Sequence, residues 1–71
     1  MNEDKIKRTI AQNLSEIRDK QHLTQKQAAD KAGLNMNYYA KVERGESMPS
    51  VKTLKKLSDA FSVESTDILG F

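Results

Sequence analysis

Apolar residues recur every three or four positions along almost the whole chain, the spacing of helices that bury one face. Ile6, Ile10, Leu14 and Ile17 step by four, four and three, which predicts a first helix from about Asp4 to Gln21. Lys5, Lys7, Arg8, Glu16, Asp19 and Lys20 fill its other faces. Thr24, with Gln27 three positions on, has the pattern of a capping box and predicts a second helix from Gln25 to near Ala32, closed by Gly33. Asn35 is placed to cap a third helix from Met36 to about Arg44, closed by Gly45. Pro49 biases Met48 away from the helical region, so 46–49 reads as a loop. Ser50 then caps a fourth helix carrying Val51, Leu54, Leu57 and Phe61, and Ser65 is expected to cap a last turn through Leu69, with Gly70 and Phe71 as a tail. No segment alternates with period two, so the expectation is an all-α domain of four to five helices spanning 1–71.

Composition narrows the function classes. At 71 residues the core must be lean, since a chain of about this size buries only about 60% of its unfolded surface. Without cysteine there is no disulfide and no thiolate metal site, and stability falls to helix packing or to a second subunit. His22 is the one histidine and belongs to no ligand cluster, so neither metal nor cofactor is expected. Neither a nucleophile-base arrangement nor a glycine-rich phosphate loop is visible, which argues against an enzyme. No apolar run approaches the roughly 20 residues of a membrane span, and the N-terminus lacks a secretory apolar region; a cytoplasmic protein is expected. The length also leaves no room for a sensor module, hence no small-molecule ligand is anticipated. Twelve basic against ten acidic residues, net +2, lean only weakly towards an anionic partner.

Helices two and three, joined across Gly33, Leu34 and Asn35, match the helix-turn-helix arrangement over about 24–44, in which the second helix enters the DNA major groove. Ala28, Ala29 and Ala32 are small enough for close helix approach, and Leu34 with Val42 would plug the crossing. From Leu23 to Leu69 the chain resembles the Cro and repressor type of regulator, the xenobiotic-response-element family. The resemblance is carried by Leu23-Thr24-Gln25, Ala29, Ala32-Gly33-Leu34, Val42-Glu43, Gly45, Pro49-Ser50, Leu54, Leu57, Ala60-Phe61, Val63 and Leu69. It implies a lambda-repressor-like bundle and a transcription regulator that binds double-stranded DNA as a homodimer, similar to stand-alone phage repressors and restriction-modification controller proteins. Two positions depart from the family pattern: Ala28 replaces the usual Leu and Tyr39 the usual Ile or Leu, a pair of volume changes that can offset one another in the core.

The same resemblance points to Met36, Asn37 and Lys41 as the residues facing base edges. Helical geometry agrees, because Asn37 and Lys41 are four apart on one face. Lysine suits guanine O6/N7, asparagine suits adenine N6/N7, and the Met36 side chain suits a thymine methyl. Gln25, Asn35, Tyr38, Arg44 and Ser47 are the phosphate candidates, with Gln25 at a helix N-terminus and Arg44 offering a charged fork; Glu46 is unfavourable to DNA beside them. Arg18 and Glu43 are expected to pair as in similar repressors. Phe61, Val63, Ile68, Leu69 and Phe71 are the candidate dimer surface, with packing inside the monomer as the competing reading. Two copies would bind a roughly palindromic operator. From a different class, a protein-interaction module such as an antitoxin or scaffold also fits the helical pattern.

Overall fold

In the computed structural model, which describes residues 2–71, the chain forms α1 (Glu3–Lys20), α2 (Gln25–Ala32), α3 (Met36–Glu43), α4 (Val51–Phe61) and α5 (Ser65–Leu69). No strand occurs among the described residues, so the all-α expectation holds. Each start follows from a cap. Thr24 accepts from the Gln27 N–H at 3.0 Å while the Gln27 side chain accepts from the Thr24 N–H at 2.8 Å, which completes the capping box. Ser50 accepts from the Thr53 N–H at 3.1 Å. Two starts differ from the sequence reading. Helix α1 begins one residue earlier, because the Asn2 side chain accepts from the Lys5 N–H at 2.7 Å. Helix α5 is preceded by Glu64 in the capping position expected of Ser65, with the Glu64 N–H donating to Asp67 Oδ2 at 2.9 Å.

Four helices end on one hydrogen-bond pattern, the Schellman motif. A left-handed residue donates its N–H three positions back, and its successor donates five positions back. His22 (φ 58°), Gly33 (φ 69°), Gly45 (φ 77°) and Ser62 (φ 57°) are the left-handed residues. Their successors are Leu23, Leu34, Glu46 and Val63, which bond to the carbonyls of Arg18, Ala29, Lys41 and Ser58. A side chain built on Gly33 would meet nothing within 4 Å, so glycine is needed there for its backbone alone. Gly33→Ala is therefore expected to destabilise the domain by about 1 to 2 kcal/mol in urea unfolding, with Gly33→Asn costing less because asparagine tolerates this region.

One core unites the helices. Ile10 and Leu14 of α1, Ala28, Ala29 and Ala32 of α2, Tyr39 and Val42 of α3, Leu57, Ala60 and Phe61 of α4, and Ile68 of α5 are buried together. Ala28 and Tyr39, the small and the large departures, are both fully buried in this cluster. Polar side chains on α1 and at its C-terminal cap clip the far end of the chain to it: Gln21 Nε2 donates to the Phe61 carbonyl at 2.7 Å, and Asn13 Nδ2 to the Ile68 carbonyl at 2.9 Å. Helix α5, only five residues long, is thereby held by Ile68 beneath it and by Asn13 beside it.

Candidate nucleic-acid interface

The inner side of α3 is committed to the fold through Tyr39, Ala40 and Val42. With that side buried, the helical period turns Met36, Asn37 and Lys41 outwards, and all three are exposed. Their side chains make no hydrogen bond or ion pair among the described residues. The Asn35 side chain accepts from the N–H groups of Asn37 at 2.8 Å and Tyr38 at 3.2 Å, so its oxygen is spent on capping α3 and only its amide nitrogen remains to donate outwards.

Beneath α3, Arg18 fixes the helix end. Its Nε donates to both Glu43 carboxylate oxygens at 3.1 and 3.0 Å, its Nη2 to Oε1 at 2.8 Å, and its Nη1 to the Leu23 carbonyl at 2.7 Å. The two side chains are 16% and 5% exposed, which makes this a buried pair of the kind expected from the sequence. Burial is the largest influence on the Glu43 pKa and acts to raise it, but the Arg18 hydrogen bonds and charge, together with Tyr39 and Gln25, outweigh it and hold the carboxyl below the ordinary glutamate value. Tyr39 lies in the same environment; burial first, and Glu43 second, keep its hydroxyl protonated. Gln25, half-buried at the first turn of α2, reaches Glu43 Oε1 at 3.5 Å through Nε2, so one network spans the N-terminus of α2 and the C-terminus of α3.

Several residues stand differently from their sequence reading. Tyr38, a phosphate candidate, is half-buried against the core, and its hydroxyl lies 3.3 Å from Thr53 Oγ1 at the start of α4. Arg44 is exposed but occupied: Nε donates to Glu46 Oε2 at 2.6 Å and Nη2 to Oε1 at 3.4 Å. The Arg44 hydrogen bonds, with Lys41 adding its charge, hold the Glu46 carboxyl below the ordinary range. Ser47 is half-buried in the α3–α4 loop. Of the candidate dimer residues, Phe61 and Ile68 are corrected to core positions at 1% and 0% exposed, because α5 folds back over α1 and α4 and buries them. Val63 and Leu69 remain half-buried and Phe71 is 68% exposed.

Two features escaped the sequence reading. Exposed Arg8 lies where α1 passes the α3–α4 loop, since a Cβ on Gly45 would come within 3.9 Å of the Arg8 Cα and 3.7 Å of the Ala11 Cβ. Val51, 84% exposed, lines a shallow groove with Leu54 and Val63, framed by Lys55, Asp59 and Glu64. Both depend on how elements pack and leave no signal in local spacing. Among the described residues no group of acidic or histidine side chains could hold a metal ion, and no helix is long and apolar enough to cross a membrane.

Known proteins share this architecture. The immunity repressor protein of Bacillus phage phi105 is 37% identical over 87% of this chain and 43% of its own length. The restriction-modification controller protein C.AhdI from Aeromonas hydrophila superposes with a TM-score of 0.84 at 31% identity, over 87% of this chain and 94% of that one. An HTH_3 family transcriptional regulator from Vibrio cholerae superposes with a TM-score of 0.91 at 25% identity, over 97% of this chain and 39% of that one. The chain thus spans less than half the length of the phage repressor. Residues 14–68, most of the chain, match the helix-turn-helix family model, and the protein belongs to the Cro and repressor type of that family.

Proposed function

We propose that the domain is a sequence-specific reader of double-stranded DNA in a cytoplasmic transcription regulator, with α3 in the major groove. The observation that carries this reading is the division of α3: its inner face is locked into the core and to Arg18, while Met36, Asn37 and Lys41 stand free on the outer face. A rigid helix with unengaged polar side chains is what reading base edges requires. Gln25 at the start of α2, with Asn35 and Arg44 at either end of α3, would set the register on phosphates. The likeness to an immunity repressor and to a restriction-modification controller supports regulation of transcription, with repression as the reading closest to the phage protein.

The active form in this proposal is a homodimer. A single short helix gives few base contacts, and a second copy doubles them, placing two α3 helices about 34 Å apart on a roughly palindromic site. The exposed Val51 and Phe71, with the half-buried Val63 and Leu69, supply apolar surface for the partner copy. Selection from a pool of random duplexes tests both levels. An enriched inverted repeat with half-sites one helical turn apart is the expected result. A single unrepeated half-site would remove the dimer, and no enrichment would remove the DNA reading in favour of a protein-interaction module.

A further inference from the structure

The four Schellman motifs are alike in backbone but not in side chain. The residue following the left-handed position ordinarily packs on the apolar residues of the last helical turn. Leu23, Leu34 and Val63 do so, each half-buried against the core. The fourth, at the end of α3, is Glu46, which is exposed and adds nothing to the core. Its backbone N–H bonds to the Lys41 carbonyl at 2.9 Å, and its carboxylate takes the fork of Arg44 at 2.6 and 3.4 Å. The motif therefore folds a negative charge back over the two cations at the end of α3, where an apolar residue would have served the fold.

We propose that Glu46 is an internal competitor for the Arg44 fork, a residue that tempers the affinity of the α3–α4 loop for the DNA backbone. The inference rests on the DNA-binding reading above. A guanidinium presents the same pair of parallel donors to a carboxylate as to a phosphate, so Glu46 occupies Arg44 in the way a phosphodiester would. The pair is about half exposed on both sides and free to exchange. On DNA, Arg44 must leave Glu46 or share it, and the carboxylate then faces a phosphate of like charge. Backbone contacts strengthen binding to every sequence alike, and a brake on them leaves a larger share of the discrimination to Asn37 and Lys41.

Glu46→Gln tests this with a fluorescent random-sequence duplex and with the duplex enriched by the wild-type protein, titrated between about 50 and 200 mM salt. The variant is expected to bind both duplexes several-fold more tightly, with a salt slope steeper by about 0.9, the value for one further phosphate neutralised. Its melting temperature should stay close to wild type. In an Arg44→Gln background the gain should vanish, because Glu46 acts through Arg44. Equal affinity and slope for Glu46→Gln and wild type would overturn the proposal, as would a gain that survives loss of Arg44. If the wild-type protein bound no duplex at all, the DNA reading itself would fall and this inference with it.

Discussion

Replacing Glu43 by alanine should cost the domain about 3 to 5 kcal/mol, read as a lowered urea midpoint, because the largely buried Arg18 would lose its buried partner and keep only the exposed Asp19 carboxylate at 3.5 Å and the Leu23 carbonyl. A chain of this length has a total stability of roughly 4 to 11 kcal/mol, so the variant would be close to unfolding at ambient temperature. The cost comes from the geometry: Glu43 receives three hydrogen-bond contacts from Arg18, and its side chain is 5% exposed. Arg18→Met should be comparably damaging, since it strands the carboxylate instead. The double variant Arg18→Met/Glu43→Leu should recover part of the loss, because neither charge then remains unpaired; additive losses would refute the coupling. Acid should weaken the pair in the same direction. Since the folded Glu43 pKa lies below its ordinary value of about 4.3, the contribution is complete above that pH and fades as pH falls through the folded pKa. Glu43→Gln should accordingly show a flatter acid limb than wild type.

On the preferred duplex, Asn37→Ala and Lys41→Ala should each cost about 1 to 3 kcal/mol, roughly 5- to 150-fold in affinity, measured by fluorescence anisotropy. Loss of Asn37 should relax the choice of base at one position of each half-site and leave binding to random duplex almost unchanged. Lys41 removes a positive charge as well, so its loss should also weaken random binding and flatten the salt slope. Both side chains are exposed and unbonded, and neither substitution should move the melting temperature appreciably. Wild-type affinity and base preference in both variants would remove α3 as the reading element.

The positions of α2 and α3 were legible to the residue or nearly so, because their signals are local. Thr24, Gln27, Asn35, Gly33 and Gly45 act on backbone groups within five positions of themselves. The ends of α1 and α4 are less readable. They close through left-handed His22 and Ser62, where no glycine marks the stop, and the half-buried Leu23 and Val63 pack on the core at these ends. The misplacement of Phe61 and Ile68 has a different origin. Helical spacing identifies an apolar face but not what covers it, and only the fold-back of α5 assigns both side chains to the core of the same chain. In the candidate site, spacing separated the outer residues of α3 from Val42. It could not reveal that Arg44 is held by Glu46 or that Arg8 is carried to the same loop, since pairing and packing are tertiary outcomes.

The division of α3 bears on how such a domain can diversify. Everything that anchors the helix, from the Asn35 cap to Tyr39, Val42 and Glu43, lies on positions different from those of Met36, Asn37 and Lys41. Outer-face residues can therefore drift, or be exchanged by an engineer, while the scaffold keeps its shape and its melting behaviour. Descendants of one frame could part company in target preference through as few as two or three codons.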